Sequence, residues 1–199
     1  MDTDKVKLKI KDLSDKIIEN EEYLTDLDRA IGDADHGYNM AKGFSKVKDS
    51  MGEDFSDLKS LFNKVAMTLI SNVGGASGPL YGTFFMKFAQ SLDGKSDIDK
   101  ELFAMAFSDG VSGVIMRGKA QVGDKTMVDV LSPVADGLKD DMKFSDIISL
   151  AKEKMEYTKD IKARKGRAAY LGERSIGHID PGAYSSYLCI ESVLGDLDD

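Results

Sequence analysis

The sequence has few of the residues that stabilise or anchor other classes of protein. Its 199 residues include one cysteine, three prolines and two histidines, and no apolar run is long enough to cross a membrane. The single thiol, Cys189, excludes an internal disulfide and a cysteine-based zinc site, so we expect it to pack as a small apolar residue. The first ten residues do not resemble a signal peptide, and a cytoplasmic location is therefore expected.

Positive charge is also scarce. The formal net charge is −8, which argues against a nucleic-acid-binding surface. A ligand that carries phosphates therefore needs local positive charge, from metal ions and a few arginines or lysines. The hydrophobic fraction of 42% suits a soluble globular protein. No linker or repeat divides the chain, so residues 1–199 are expected to form one domain.

The spacing of apolar residues is helical throughout, without the sustained alternation that is typical of strands. From Val6 to Ile31 they recur every three or four positions, which predicts one long helix that ends at Gly32. Seven further helices are predicted near residues 40–51, 58–70, 79–92, 102–116, 127–138, 147–167 and 184–193. Eight helices joined by short loops predict an all-α bundle or barrel.

Three aspartates lie within eight positions, at the junction between the first two predicted helices: Asp28, Asp33 and Asp35. Two ionised carboxylates about 4 Å apart repel by roughly 4 kcal/mol at an effective dielectric near 20, so a fold that gathers all three needs a cation. An all-oxygen set without thiolates favours Mg²⁺ over Zn²⁺. Asp28 supports this interpretation, because the last turn of a helix disfavours negative charge. Alternatively, all three aspartates are only helix caps and turn residues.

A glycine-rich loop, NVGGASGPLYG, occupies residues 72–82. Glycines allow a backbone to approach a ligand closely, and Pro79 suits the first position of a helix. Ser77 and Gly78 are then at a helix N-terminus, where free N–H groups favour a phosphate, and the Ser77 hydroxyl is a possible further donor. Glycine-rich turns also precede helices that bind nothing. No Gly-Lys-Ser/Thr follows, so this is not a Walker loop.

Two further loops carry most of the remaining candidate residues. In RGKAQVGDKTM, residues 117–127, Lys119 and Lys125 are expected to be solvated surface charges. The second segment, residues 164–183, begins with several basic residues, and arginine suits phosphate oxygens. Its end, DPG at 180–182, predicts either a tight turn or a cap for the last helix.

Four stretches resemble, in the same order, the DhaL family of nucleotide-binding subunits of dihydroxyacetone kinase: IGDADHGYNM, GGASGPLYGTFF, GDKTMVDVL and GRAAYLGERSIGHIDPGA. The resemblance implies a closed barrel of eight antiparallel helices with the nucleotide at one end. It implies Mg²⁺, expected as two ions, on Asp28, Asp33 and Asp35. It makes Arg167 the preferred nucleotide-contacting arginine, with Arg174 as second choice. The implied nucleotide contacts are His36, Gly37, Tyr38, Asn39, Ala76, Ser77, Gly118, Met127, Arg167, Asp180, Pro181 and Gly182.

The resemblance also implies a function. The chain is expected to be a phosphotransferase subunit that keeps ADP bound as a cofactor, which becomes ATP when charged. A phosphohistidine subunit (DhaM), fed by phosphoenolpyruvate, would rephosphorylate the ADP, and the γ-phosphate would pass to dihydroxyacetone on a DhaK subunit. In phosphoryl transfer, positioning and charge neutralisation supply most of the catalysis, so no protein nucleophile is needed.

Other functions stay open on the sequence. The chain is alternatively an L-type domain that uses free ATP, or a regulatory module that senses ADP and ATP without catalysis. A phosphoryl carrier would use His36 or His178. A related domain occurs in fatty-acid kinases, but the GDADHG form favours the dihydroxyacetone branch.

Overall fold

A computed structural model describes residues 1–197, and all regular elements in that range are helical, as predicted. The described helices are α1 (Thr3–Glu19), α2 (Glu21–Ile31), α3 (His36–Ser50), α4 (Leu58–Asn72), α5 (Ser77–Gln90), α6 (Lys100–Gly118), α7 (Val128–Lys139), α8 (Phe144–Tyr157) and α9 (Pro181–Leu194). A 3-10 segment, Arg167–Ser175, lies between α8 and α9. No helix in the described range is both long and apolar enough to cross a membrane.

The prediction of one long first helix across residues 6–31 is wrong, because α1 and α2 meet at Asn20. The Asn20 backbone N–H donates to the Ile17 carbonyl at 3.2 Å, and its side-chain amide donates to the Lys16 carbonyl at 2.8 Å. These bonds satisfy carbonyls at the end of α1. Ile17 and Leu24 are both fully buried, so the apolar spacing continues across the break and conceals it.

The helix predicted near residues 147–167 is also too long, because α8 ends at Tyr157. After Tyr157, the Thr158 side chain makes hydrogen bonds with backbone groups, and these bonds replace those of a longer helix. The Thr158 hydroxyl donates to the Met155 carbonyl at 2.6 Å and accepts the Asp180 N–H at 3.1 Å. Gly166 has a φ of 66°, which is outside the helical region. Residues 158–166 therefore form a loop that leads to Arg167.

The helices pack mainly on their neighbours in chain order. From α3 to α9 each helix packs against the next, α3 also packs against α1 and α2, and α9 packs against α1 and α2, so the pairs run in a ring. Phenylalanines from α4, α5 and α6 form an aromatic cluster in the core. Cys189 packs against this core on α9, as predicted. The closed barrel of eight antiparallel helices stays a prediction.

Candidate metal and nucleotide site

A polar cavity of about 360 Å³ lies where the segments that precede α3, α5, α7 and α9 meet. All the site residues predicted from the sequence line it except Gly37, Tyr38 and Gly118. The predicted residues that line it are Asp28, Asp33, Asp35, His36, Asn39, Ala76, Ser77, Met127, Arg167, Asp180, Pro181 and Gly182. Residues that are far apart in the sequence, at positions 28–39, 76–77, 127, 167 and 180–182, are therefore brought into one cavity.

The three aspartates meet at this cavity. One oxygen atom from each of Asp28, Asp33 and Asp35 lies within 4.8 Å of the others. The pKa of Asp35 is raised, first by burial and then by the neighbouring carboxylates of Asp33 and Asp28. A hard divalent cation would relieve this repulsion, and the all-oxygen donor set fits Mg²⁺.

Asp28 has a second role that the sequence did not predict. Its side chain is buried, and its Oδ2 atom accepts the N–H groups of Asp35 at 2.9 Å and His36 at 3.1 Å. Asp35 stands at the N-cap position of α3 but makes no capping bond with its side chain. The cap of α3 therefore comes from α2, which fixes Asp28 beside Asp35 and leaves the Asp35 carboxylate available to a ligand.

Arg167 supplies positive charge at the rim of the cavity. The 3-10 segment begins at this residue, and its guanidinium lies 2.9 Å from the Asp33 carboxylate. Both side chains are partly exposed. A guanidinium carries five N–H donors, so an arginine that holds one carboxylate oxygen retains donors for a phosphate. Arg174, the second choice among the arginines, does not line the cavity.

The glycine-rich loop is packed closely against α3 and α4. A Cβ atom on Gly74 would lie 2.7 Å from Asn39 Oδ1, and one on Gly78 would lie 2.3 Å from the Val73 carbonyl oxygen. Helix α5 begins at Ser77, after Ala76, and no side chain caps it. Its first N–H groups are therefore free to bind an anion in the cavity.

The three predicted residues outside the cavity lining have other surroundings. Gly37 lies against α2, where a Cβ atom would come within 2.0 Å of the Glu21 carbonyl oxygen. The Tyr38 side chain is 58% exposed. Gly118 ends α6, and a Cβ there would lie 3.3 Å from Leu80, which itself lines the cavity.

The expectation that Lys125 is a solvated surface charge is wrong. Its side chain is 1% exposed, and its Nζ donates to the carbonyl oxygens of Thr158 at 2.5 Å, Ile161 at 3.2 Å and His178 at 2.5 Å. An ammonium has three protons, so none remains for a phosphate. Burial lowers the pKa of Lys125, while nearby carboxylates act in the opposite direction. Lys119, in the same loop, is exposed as predicted.

Asp180 is the N-cap of α9, which confirms one of the two alternatives for the DPG turn. Its carboxylate accepts the Ala183 N–H at 2.8 Å. Burial raises the pKa of Asp180 from its ordinary 3.8 to about 7, and Lys125 acts in the opposite direction. The α9 cap is therefore a carboxyl group that titrates near neutral pH at the cavity wall.

Comparison with solved structures identifies the class of fold. The crystal structure of the dihydroxyacetone kinase of C. freundii in its native form superposes with a TM-score of 0.79 at 21% identity. The match covers 99% of this chain and 35% of that kinase, so this chain spans about a third of the kinase's length. The same kinase in complex with AMP-PNP and Mg²⁺ gives a TM-score of 0.78. At this identity the likeness establishes the fold.

Sequence comparison identifies the family. The DAK2 domain pattern matches residues 30–195. The ADP-binding subunit DhaL of the PEP-dependent dihydroxyacetone kinase from Escherichia coli is 49% identical over 173 residues, 82% of each chain. The DhaL subunit of kinase 1 from Listeria innocua is 47% identical over 186 residues, 93% of this chain and 92% of the relative. A DhaL subunit from Lactococcus lactis, named as PTS-dependent, is 44% identical over 182 residues. The chain therefore belongs to the DAK2 domain family and, within it, to the DhaL subunits.

Proposed function

We propose that this chain is the ADP-binding subunit of a dihydroxyacetone kinase and that the cavity holds the nucleotide with Mg²⁺. The observation that carries the proposal is the meeting of Asp28, Asp33 and Asp35 within 4.8 Å in a cavity that Arg167 also lines. Carboxylates repel phosphate oxygens, so this combination suits a polyphosphate only when a divalent cation lies between them. The names of the DhaL relatives support ADP as the nucleotide.

The aspartates would hold the metal, expected as two ions. Bound Mg²⁺ would neutralise charge on the phosphate oxygens. Asp28 fixes the geometry, because its cap on α3 prevents the carboxylate from turning away. Asp35 is restrained by a hydrogen bond with the Asn39 side chain, and Asp33 by Arg167. The chain therefore presents a pre-arranged set of oxygen ligands.

The chain also supplies donors for the phosphates. Arg167 lies beside the metal ligands, where its free N–H groups can bind phosphate oxygens. At the start of α3, the N–H of His36 is taken by Asp28 and that of Asn39 by the Asp35 carbonyl. The remaining two residues of this stretch, Gly37 and Tyr38, do not line the cavity, so we do not assign phosphate binding to the backbone N–H groups of His36 to Asn39. The uncapped start of α5 adds further N–H groups.

The reaction we propose is a phosphoryl relay between partners in the cytoplasm. A DhaM-type phosphohistidine subunit rephosphorylates the retained ADP, and the γ-phosphate passes to dihydroxyacetone on a DhaK-type subunit. Relatives named as PEP-dependent and PTS-dependent support this over free ATP as the donor. A phosphoryl carrier on His36 is disfavoured, because that ring is buried and both of its nitrogens lie within hydrogen-bond distance of serines.

The proposal is tested with Asp33→Asn against a matched control, Asp26→Asn. Asp26 is an exposed aspartate on α2 that pairs with Arg29 outside the cavity. We expect Asp33→Asn to weaken Mg²⁺-dependent ADP binding at least about tenfold and to abolish dihydroxyacetone phosphorylation with DhaK and DhaM subunits, because one of three metal ligands loses its charge. Asp26→Asn should leave both unchanged. Undiminished phosphorylation by Asp33→Asn would reject the proposed site.

Native mass spectrometry of the purified protein tests cofactor retention separately. We expect one ADP with bound metal, and loss of both when a chelator is added. Rapid exchange of the nucleotide with free ATP during dialysis would contradict the retained cofactor and favour the ATP-dependent reaction.

A further inference from the structure

A long loop of irregular and 3-10 structure connects α8 to α9 and carries Arg167. We call residues 158–178 the Arg167 loop, since Arg167 lies near their middle. The two ends of the loop meet, because the Gly177 N–H donates to the Lys159 carbonyl at 2.8 Å. The place of Arg167 at the cavity therefore depends on how this closed loop is attached to the rest of the chain.

Lys125 fastens both ends of the Arg167 loop from outside it. Its Nζ donates to the carbonyls of Thr158 and Ile161 near the start of the loop and to that of His178 at its end. A carbonyl oxygen can only accept, so the direction of all three bonds is determined. The Lys125 side chain lines the cavity and belongs to the segment that precedes α7. Both ends of the loop are therefore fixed to the cavity wall.

Ser175 fixes the interior of the Arg167 loop. Its side chain is fully buried, and its hydroxyl accepts the Ala163 N–H at 2.9 Å and donates to the Gly172 carbonyl at 2.7 Å. A backbone N–H can only donate and a carbonyl can only accept, so both roles of the hydroxyl are determined. The bond between Ala163 and Ser175 joins the parts of the loop that precede and follow Arg167.

The loop packs in turn on the junction that carries the three aspartates. A small apolar cluster, separate from the main core, joins the loop to the end of α2: Ile31, Ala163, Ala168 and Leu171. Ile31 is the last residue of α2, two positions before Asp33. Ala168 adjoins Arg167, whose guanidinium lies 2.9 Å from the Asp33 carboxylate. This contact therefore holds the backbone of Arg167 beside the predicted metal ligands.

The position of this backbone matters because burial does not hold the Arg167 side chain. The side chain is 65% exposed, and an exposed arginine samples many rotamers unless its partners lie within reach. The loop decides whether the guanidinium meets the phosphates or the solvent. Lys125 and Ser175 together determine the shape of that loop.

We propose that Lys125 and Ser175 are positioning residues that act on the bound nucleotide through Arg167. The three protons of the Lys125 ammonium are taken by carbonyls, and Ser175 does not line the cavity. Neither side chain therefore has a donor for the ligand itself. The inference rests on the proposed function, because it takes Arg167 as a ligand of the nucleotide phosphates.

Amide hydrogen exchange without any ligand tests whether the two side chains hold the loop. We expect Ser175→Ala and Lys125→Met to raise exchange rates in the Arg167 loop at least about tenfold beyond any change in α4, which reports global unfolding. Ser149→Ala is the matched control, because it is an exposed serine whose hydroxyl also donates to a backbone carbonyl. Loop exchange that rises no more than that of α4 overturns the proposal.

A double-mutant cycle tests whether the two side chains act through Arg167. In calorimetry with Mg²⁺, Lys125→Met and Ser175→Ala should each weaken ADP binding about 5- to 10-fold, close to the value of one hydrogen bond. Added to Arg167→Gln, either substitution should weaken binding by less than a further factor of about two, because the arginine is already gone. Losses that multiply overturn the proposal. If Lys125→Met does not fold, Ser175→Ala decides the result alone.

Binding of Mn²⁺ alone separates positioning from general damage to the cavity. The three aspartates lie at the junction of α2 and α3 and not on the loop, so both variants should bind Mn²⁺ at least as tightly as the native protein. An equal loss of Mn²⁺ and ADP binding overturns the role of the two residues. A native chain that binds no ADP with Mg²⁺ rejects the proposed function instead. The exchange measurement uses no ligand and still decides whether Lys125 and Ser175 hold the loop.

Discussion

Substitution of Lys125 by methionine should destabilise the protein more than any other loss of a lysine charge near the cavity. Methionine retains an unbranched apolar stem and removes the ammonium. Three carbonyl oxygens, of Thr158, Ile161 and His178, then lose a charged donor at 2.5, 3.2 and 2.5 Å. These carbonyls belong to the segment that leads from α8 to Asp180, which Lys125 joins to the loop before α7 together with the Arg164 N–H bond to the Asp124 carbonyl at 3.0 Å.

The magnitude follows from the burial of these groups. A hydrogen bond to a charged group contributes about 1.5–3 kcal/mol, and each buried carbonyl that is left without a donor costs about 1–3 kcal/mol. Thr158 is fully buried, so its carbonyl finds no water in exchange, whereas His178 is exposed and its carbonyl is only partly buried. We therefore expect a loss of about 3–5 kcal/mol in the free energy of unfolding.

Urea denaturation followed by far-ultraviolet circular dichroism measures this loss, since the chain has no tryptophan for fluorescence. Lys119→Met is a matched control from the same loop. Both lysines have left-handed backbone conformations, with φ of 50° for Lys119 and 62° for Lys125, so backbone strain is the same. The control should change stability by less than about 0.5 kcal/mol, because its side chain is exposed. A Lys125→Met variant as stable as Lys119→Met would refute the reasoning.

Three further predictions concern charge and close packing. Because the pKa of Asp180 is raised from 3.8 to about 7, the folded chain retains a proton there that the unfolded chain releases. As the pH rises between these two values, the free energy of unfolding should therefore fall by up to about 1.4 kcal/mol per pH unit. The Asp180→Asn variant keeps a capping oxygen but cannot ionise, so it should not show this fall when urea titrations at pH 5 and pH 7.5 are compared. Arg167→Gln should weaken ADP binding measured by calorimetry. The same variant should bind Mn²⁺ alone more tightly, because the Arg167 guanidinium no longer competes with the metal for the Asp33 carboxylate. Weaker binding of both ligands would contradict this prediction. Gly37→Ala should cost about 3 kcal/mol in urea denaturation, because its Cβ would meet an α2 carbonyl at 2.0 Å. Gly52→Ala, with its nearest atom at 3.9 Å, should be neutral, and equal stability of the two alanine variants would contradict the close packing.

Features encoded by neighbouring residues could be predicted from the sequence. Apolar spacing of three and four predicted the helices, and three aspartates within eight positions predicted a cluster that the structure brings within 4.8 Å. The break at Asn20 could not be predicted, because buried residues continue the same spacing on both sides of it. Periodicity reports which face of a helix is buried, and that face does not change at this break.

Features that depend on distant partners could not be predicted. In the sequence, Lys125 has the features of an ordinary charged loop residue. Its burial could not be predicted, because its carbonyl acceptors lie 33 to 53 residues further along the chain. His36, at the start of α3, lies within hydrogen-bond distance of Ser185 on α9, which is 149 residues away in the sequence. The Asp28 cap on α3 is closer in sequence, but it depends on the angle at which α2 meets α3. No local pattern in the sequence carries these contacts.

The polar groups of the cavity divide into two sets by what the fold leaves them to do. Lys125 and His36 are buried, and their hydrogen-bonding groups are engaged by protein atoms. Asp33 and Arg167 are exposed, and each retains unused oxygens or N–H groups. Ligand chemistry therefore belongs to the exposed set, while the buried set fixes the backbone that carries it. Substitutions in the buried set should lower stability and affinity together, whereas those in the exposed set should lower affinity alone.

Asp28 belongs to both sets, because it caps α3 and contributes an oxygen to the cluster. Its loss should therefore reduce metal binding even in molecules that remain folded.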